Sequence, residues 1–258
     1  MAAARRAPIE RAIDRGEVRI VFQPVVRLAD GATLGYEALA RLGEKGDAPA
    51  PWFRLARELD LGTELELTCL AAIAEVGLPP DDALLFVNVS PATLVHPRMH
   101  ELCGPLADRL VVELTEHIEV ADYSALRPSI ERWSARGVRL AVDDTGAGYA
   151  SLRHVIELAP HFLKLDGSVV GGLDQHAARR ALVAALVTFA DDVGTTVIAE
   201  GVERWSEAEA LRSVGVHLAQ GFAFGRPQRR WAPAQWPATE GRRVGRTPLR
   251  AVPEPPPG

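Results

Sequence analysis

Cysteine and long apolar segments are both scarce in this sequence. The two cysteines, Cys69 and Cys103, form no CxxC pair and have no histidine pattern beside them, so we expect two reduced core thiols in a cytoplasmic protein. The N-terminus carries arginines without the apolar stretch of a signal peptide. The longest apolar runs, such as Ala181 to Val187, are too short to cross a bilayer, so we expect no membrane segment.

An excess of positive charge is also missing. The formal net charge is -5, which argues against general binding of DNA or RNA polymers. The 258 residues are 47% hydrophobic and 24% charged, an ordinary globular balance. This length fits one large α/β domain or two small ones.

Strands and helices are expected to alternate along most of the chain. Val18 to Leu28 and Thr33 to Leu42 form a predicted hairpin around an Asp-Gly turn, and apolar strands separated by helices follow from Leu84. Near-continuous apolar strands are typical of a buried parallel sheet. The strand count predicts an α/β fold, a modified (β/α)8 TIM-like barrel with an irregular first hairpin. A doubly wound open sheet is the alternative.

The chain ends differ in composition from its middle. We expect a disordered lead over residues 1–8, a folded domain over 9–230, and a Pro/Arg-rich, disordered tail over 231–258. Near the end of the domain, a helix over Ser206 to Val214 is predicted to start at Ser206. Glu209, three residues later, would complete its capping box.

Polar side chains stand where the apolar strands end. Asp143 and Asp144 are adjacent, and taken alone such a pair is more typical of a solvated turn. The other predicted strand ends carry further polar residues, each with an ordinary structural explanation of its own: Glu37, Asn88, Glu113, Lys164 with Asp166, Glu200, and Gln220. In a parallel barrel all these ends lie on one face, the face that carries active sites.

Taken together, these residues form a set of oxygen ligands without histidine or cysteine. Such a set favours Mg²⁺ or Mn²⁺ over zinc. Adjacent Asp143 and Asp144 could serve two ions about 3.5–4 Å apart, the arrangement used in phosphodiester hydrolysis. Lys164 could hold the attacking water, and a free carboxylate could take its proton.

Eight motifs in order make the chain resemble the EAL domain of bacterial cyclic-di-GMP phosphodiesterases. The namesake triplet is Glu37-Ala38-Leu39. The others are FQP (22–24), FVNVSP (86–91), ELTE (113–116), DDTGAGYASL (143–152), KLD (164–166), AEGVE (199–203) and QGFAFGRP (220–227). They extend over most of the chain, from about Ile9 to Pro227.

The resemblance implies hydrolysis of cyclic-di-GMP to linear pGpG by a two-metal mechanism with two Mg²⁺ or Mn²⁺ ions. It assigns the first ion to Glu37, Asn88, Glu113 and Asp143, and the second to Asp143, Asp144 and Glu200. It makes Lys164 and Glu200 the catalytic residues, with Lys164 on the hydrolytic water and Glu200 as a candidate base. Gln23, Leu39, Arg41 and Gln220 would bind substrate or its bound water, and Glu116 and Asp166 would support the site.

The loop after the two aspartates departs from the common family form DDFGTGYSSL. Thr145, Ala147 and Ala150 replace Phe, Thr and Ser, which puts loop packing, dimer coupling and metal affinity in question. The alternative hypothesis is therefore a weak or inactive EAL module that acts as a cyclic-di-GMP receptor or protein-interaction domain. A barrel that processes another sugar or phosphate is a third reading. The family also leaves room for a homodimer and for a sensor or regulatory partner.

Overall fold

The computed structural model describes residues 2–43, 46–114, 123–145 and 150–237, with backbone alone at 2–5, 144–145 and 150–152. The strands are β1 (Val18–Arg27), β2 (Thr33–Leu42), β3 (Leu84–Val89), β4 (Leu110–Leu114), β5 (Arg139–Thr145), β6 (Phe162–Leu165), β7 (Thr196–Ala199) and β8 (Leu218–Gln220). The helices are α1 (Ala2–Arg15), α2 (Pro49–Glu58), α3 (Gly62–Val76), α4 (Pro91–Leu94), α5 (Pro97–Cys103), α6 (Tyr123–Ser134), α7 (Ala150–Leu158), α8 (Gly167–Val170), α9 (Ala177–Asp192) and α10 (Trp205–Ser213), with a 3-10 helix at Gly104–Arg109.

The strands close a barrel in sequence order, from β1 to β8. The ladders β3–β4, β5–β6, β6–β7 and β7–β8 are parallel, whereas β1 runs antiparallel to β8 and places Val25 opposite Gln220. All residues of β4 and β6 are buried, as expected for strands covered on both faces. The predicted barrel is therefore confirmed, including its irregular start, and the open doubly wound sheet is not found.

The described chain divides into two compact units. The first unit contains residues up to Gln23, Tyr36–Arg139 and Pro227–Trp231; the second contains Pro24–Gly35, Leu140–Arg226 and the residues from Ala232 onward. A cluster in the first unit joins Ile9 of α1 to Leu42 and to helices α2 and α3. In the second unit, a larger core lies between strands β5 to β8 and helices α9 and α10.

Helix α1 begins at Ala2, within the stretch 1–8 that the sequence predicts as a disordered lead, and the disorder of that lead stays a prediction. Ile9 and Ala12 are buried in the first unit, so packing stabilises this helix. Arg6 pairs with Glu10 one turn later at 2.6 Å and donates a hydrogen bond to the carbonyl of Leu59. A short alanine- and arginine-rich stretch gives no sign of these contacts.

Two tryptophans at the start of the predicted tail make aromatic contacts. Residues Trp231 and Trp236 pack into the described chain: Trp231 lies on Phe22 with 3.7 Å between ring centroids, and Trp236 lies edge-on to Trp205 at 5.1 Å. Apolar contact therefore fixes a segment that its proline and arginine content placed in a tail. Residues 238–258 lie outside the described residues, and their predicted disorder stays a prediction.

Helix α10 starts earlier than its sequence suggested. Its N-cap is Arg204, whose backbone N–H donates to the carboxylate of Glu207 at 3.0 Å, so the N3 acceptor is Glu207 instead of Glu209. Ser206 already lies inside the helix and is exposed. Among the described residues, no helix is long and apolar enough to span a membrane.

Candidate active site

In the first unit, three predicted ligands come from neighbouring strands. Glu37 on β2 is 7% exposed and Glu113 on β4 is fully buried. Asn88 on β3 is the register partner of Glu113 and donates a hydrogen bond from Nδ2 to Oε1 of Glu37 at 3.0 Å. The structure therefore brings together two buried carboxylates and one amide: Asn88 and Glu113 lie next to the carboxyl ends of β3 and β4, whereas Glu37, predicted at a strand end, lies in the middle of β2.

The contact with Glu37 fixes the orientation of the Asn88 amide. Because Nδ2 donates to a carboxylate, Oδ1 is the oxygen of Asn88 that can accept from, or coordinate, another group. Placing the amide nitrogen on the anion also lowers the repulsion around Glu37 without adding charge. The group is suited to a hard cation bound through oxygens.

Glu66 of α3 supports the turn that follows Asn88. Its Oε2 accepts hydrogen bonds from the backbone N–H of Ser90 at 2.9 Å and from the Ser90 hydroxyl at 2.7 Å. Ser90 in turn caps α4 by accepting from the N–H of Thr93. One carboxylate on a neighbouring helix thus holds the end of β3, a role that sequence reasoning missed.

In the second unit, Lys164 lies between two predicted metal ligands. Its side chain is 1% exposed, and Nζ is 2.6 Å from Oε1 of Glu200 and 3.4 Å from Oδ1 of Asp143. An ammonium group buried this deeply needs such partners, since desolvation is costly. The two carboxylates keep side-chain exposures of 19% and 15%, so they can be reached from solvent.

The backbone is irregular at the adjacent aspartates. Val142 pairs with Leu163 and Thr145 pairs with Leu165, so the β5–β6 register shifts across Asp143 and Asp144. Such an irregularity changes the alternation of side-chain directions along a strand and often marks a site. The side chain of Asp144 lies outside the described part of the chain, so its role as a metal ligand stays a prediction.

Gln220 ends β8 next to the loop that carries Glu200. The ladder sets Ala199 against Ala219, which brings Glu200 and Gln220 to the same level, and Val202 N–H donates to the Gln220 carbonyl at 3.1 Å. Gly221 follows with so little space that a Cβ there would overlap backbone atoms of Val202. Close backbone packing therefore fixes the ends of β7 and β8.

Asp166 has a local structural role. It caps α8 by accepting a hydrogen bond from the Ser168 N–H at 2.8 Å. Hydrogen bonds from the Ser168 side chain and backbone lower the pKa of Asp166 below its ordinary 3.8, against the opposing effect of burial. Glu116, the other predicted supporting residue, lies outside the described residues.

The predicted substrate residues differ in exposure. Gln23 is 7% exposed, whereas Leu39 and Arg41 are partly exposed, and Arg41 donates to its neighbour's carbonyl on Ala40 at 2.9 Å. An aromatic side chain that sequence reasoning passed over follows Gln220: Phe222 is 45% exposed, and the guanidinium of Arg226 lies 4.0 Å from its ring centroid.

Each unit carries one group of polar side chains, and the oxygen atoms of both groups are of the kind that binds a divalent cation. Apart from the lysine, the described side chains are carboxylates and amides, the oxygen ligands that Mg²⁺ and Mn²⁺ take. Within the described ranges, no three His, Cys, Asp or Glu side chains gather into a group that could hold a metal ion. Each group has two carboxylates: in the first unit an asparagine accompanies them, and in the second the Lys164 ammonium lies beside them.

Fold and site define an α/β barrel whose strands carry buried carboxylates and one buried lysine. The chain belongs to the EAL domain family, whose sequence profile matches residues 6–227.

Relatives of known sequence extend the match. The chain is 31% identical over 236 residues to the probable cyclic di-GMP phosphodiesterase PdeI of Escherichia coli (strain K12). The aligned region covers 85% of this chain and 30% of that protein. It is also 31% identical over 233 residues to an uncharacterized protein of Mycobacterium bovis, Mb1392c, covering 83% of this chain and 76% of the other. The chain spans only 28–38% of the length of six such relatives, PdeI among them.

Solved structures share the fold. Klebsiella pneumoniae BlrP1 in its pH 8.0 calcium/cy-diGMP complex matches with a TM-score of 0.74 and 30% identity, covering 82% of this chain and 56% of the other. The same protein has also been solved as a manganese/cy-diGMP complex. The PaMucR phosphodiesterase in complex with c-di-GMP matches with a TM-score of 0.75 and 27% identity, covering 87% of this chain and 97% of the other.

Proposed function

We propose that this domain, over residues 9–230, is a cytoplasmic phosphodiesterase that hydrolyses cyclic-di-GMP to linear pGpG with two Mg²⁺ or Mn²⁺ ions. The observation that carries the proposal is the burial of Lys164 between Asp143 and Glu200. A lysine buried between two carboxylates is expensive for stability alone. It is well suited to a site where a water must be oriented and deprotonated.

Two sets of residues would hold the ions. Glu37, Asn88, Glu113 and Asp143 would bind one, and Asp143, Asp144 and Glu200 the other. When bound, the ions would supply Lewis-acid activation of a water and neutralise the charge on the phosphodiester. The oxygen-only donors of Glu37, Asn88 and Glu113 and their burial support this assignment.

The chain's own residues would move the proton. Lys164 would donate a hydrogen bond to the attacking water and orient its lone pair toward phosphorus. Glu200, 2.6 Å from Lys164 Nζ, would accept the proton released as the water oxygen bonds to phosphorus. The P–O3′ bond then breaks, and the 3′ oxygen leaves and takes up a proton from water. One ring phosphodiester is thereby opened, which gives linear pGpG.

Substrate contacts would come from the rim. Arg41 would pair with a phosphate through its planar guanidinium, Gln23 and Leu39 would line the dinucleotide groove, and Gln220 would hold a water. The partial exposure of Leu39 and Arg41 is compatible with these roles. Phe222, exposed and cation-backed by Arg226, offers a face on which a base could stack. A homodimer and a sensor partner belong to the same proposal through the family.

A receptor without turnover is the competing function, and the changes at Thr145, Ala147 and Ala150 favour it. The two are separated by incubating the purified chain with cyclic-di-GMP and Mg²⁺ or Mn²⁺ and measuring pGpG. A parallel calorimetric titration in Ca²⁺ measures binding. Product formation supports the enzyme, and tight binding without product at high protein concentration supports the receptor.

Variants then assign the residues. Glu37→Ala and Lys164→Ala are expected to abolish product formation. The control Glu209→Ala removes an exposed carboxylate of α10 and should leave product formation unchanged. Full activity in either of the first two would refute its assigned role.

A further inference from the structure

Glu207 connects the loops that follow two neighbouring strands. Its side chain is 4% exposed, and its Oε2 accepts from the backbone N–H groups of Glu203 and Arg204, both at 3.0 Å. Its Oε1 accepts from the N–H of Gly172 at 2.9 Å and from Arg204 Nη2 at 2.8 Å. One buried carboxylate thus receives four hydrogen bonds from both loops.

Arg204 extends the same connection. While its Nη2 binds Glu207, its guanidinium also makes a two-pronged pair with Asp174, with Nη2–Oδ1 at 2.8 Å and Nη1–Oδ2 at 3.2 Å. Asp174 lies between α8 and α9, in the connection that follows β6, and Arg204 ends the loop after β7. We call Glu207, Arg204 and Asp174 the loop clamp.

The clamped loops begin at the candidate active site. Glu200 comes four residues before Arg204, and its N–H donates to the carbonyl of Leu165, the residue next to Lys164. Gly201 follows with a positive φ of 64°, and a Cβ there would lie 3.0 Å from the Cα of Gly167. The backbones after Lys164 and Glu200 are therefore in contact before they reach the loop clamp.

Capping of α10 does not account for this arrangement. Capping of the helix end needs only the hydrogen bond from the backbone N–H of Arg204 to the Glu207 carboxylate. The bond to Gly172, 35 residues away, and the Arg204–Asp174 pair fix a second loop. We propose that Glu207 is a positioning residue, which through the loop clamp sets the distance between Lys164 and Glu200. Its kinetic consequence rests on the proposed phosphodiesterase function, whereas its structural consequence does not.

Lysine chemistry tests the structural consequence without turnover. The chain has only two lysines, Lys45 and Lys164, so an amine-acetylating reagent and peptide mass spectrometry report both in one sample. Lys164 is protected in the wild type by its burial. Glu207→Ala is expected to raise the labelling rate of Lys164 relative to Lys45 by about tenfold, because its loops open more often. Glu209→Ala, on the exposed face of α10, should leave the ratio unchanged.

Kinetics test the second consequence. Glu207→Ala should lower kcat by about 10–100-fold, as loss of a supporting partner does, and leave KM for cyclic-di-GMP nearly unchanged. Glu207→Gln keeps an acceptor oxygen and should recover part of the loss. If the wild type makes no pGpG, the proposed function fails while the labelling result still decides the role of Glu207.

Retention of fold is checked by circular dichroism. Should Glu207→Ala fail to fold, Arg204→Met replaces it, since this variant removes the link to Asp174 and leaves the backbone contacts of Glu207. Its labelling ratio is expected to rise about threefold. A folded variant in which Lys164 is labelled as slowly as in the wild type would overturn the proposal. An equal rise of the Lys164 labelling rate in Glu209→Ala would overturn it as well.

Discussion

Replacing Lys164 with methionine tests the structure and the proposed mechanism together. Methionine has a similar length and no charge, so it fills the buried space and removes only the ammonium group. Two carboxylates, Asp143 and Glu200, then face each other without the cation that lies 3.4 and 2.6 Å from them. We expect a less stable protein in the absence of metal ions, with no turnover in their presence.

The size of the loss follows from burial. Removing one partner of a fully buried pair costs about 3–5 kcal/mol. Here only the lysine is fully buried, at 1% exposure, and the carboxylates keep 15% and 19%. We therefore expect the lower end, about 3 kcal/mol, which for a domain of this size lowers Tm by roughly 6–12 °C.

Metal ions should reduce this difference in Tm. Without the ammonium, the oxygens of Asp143 and Glu200 are no longer shared with a fixed cation, and a divalent ion that binds the folded state stabilises it by mass action, about 2.7 kcal/mol at one hundred times its Kd. Differential scanning calorimetry with EDTA and with Mn²⁺ should therefore give a larger Mn²⁺-dependent rise in Tm for Lys164→Met than for the wild type.

Two results would refute the reasoning separately. A metal-free Tm within about 2 °C of the wild type would mean that Lys164 does not form the buried pair. A pGpG formation rate within about tenfold of the wild type, with saturating Mn²⁺, would remove Lys164 from the mechanism. Glu209→Ala, which changes an exposed charge, is the control for nonspecific effects of a lost charge.

Three further substitutions probe the surroundings of the site. Glu66→Gln removes the anionic acceptor of Ser90 and should cost about 1–2 kcal/mol in urea unfolding, together with a higher Mn²⁺ requirement for turnover. Gly221→Ala, whose Cβ would overlap the backbone of Val202, should lower Tm and the yield of folded protein, and a wild-type melting curve would contradict the close packing. Burial opposes the lowering of the Glu207 pKa, but its N–H and Arg donors prevail. The carboxylate of Glu207 should therefore stabilise the fold fully above its ordinary pKa of 4.5 and lose this effect as the pH falls toward the lowered pKa. The difference in Tm between wild type and Glu207→Gln should accordingly narrow below about pH 4.5. A gap that widens toward acid would contradict it.

The positions of the site residues along the strands could be predicted from the sequence. Glu113 and Lys164 stand within or at the end of short apolar runs, and a polar residue in such a run points to a buried partner. The barrel then brings the strand ends together, because parallel strands share one carboxyl face. That Lys164 contacts both Asp143 and Glu200 could not be predicted, since no spacing rule fixes distances between strands.

Supporting contacts escaped prediction because they join distant parts of the sequence. At the start of α10, Ser206 with Glu209 and Arg204 with Glu207 have the same spacing, and the first pair has the better capping residue. The second pair is used because Glu207 also receives the Gly172 N–H, a contact made by folding alone. The loop between Thr145 and Ala150 lies largely outside the described residues, so the effect of its altered residues on metal affinity stays a prediction.

The choice of lysine instead of arginine at position 164 is itself informative. The chain uses arginine for 27 of its 29 lysine and arginine residues, yet a lysine occupies the buried position 164. Arginine brings a planar fork that suits one carboxylate or phosphate held from a single side. Lys164 on β6 lies between a carboxylate of β5 and one that follows β7, and a compact ammonium can donate to both. The chain's strong preference for arginine is therefore broken where one point-like donor has to reach two carboxylates at once.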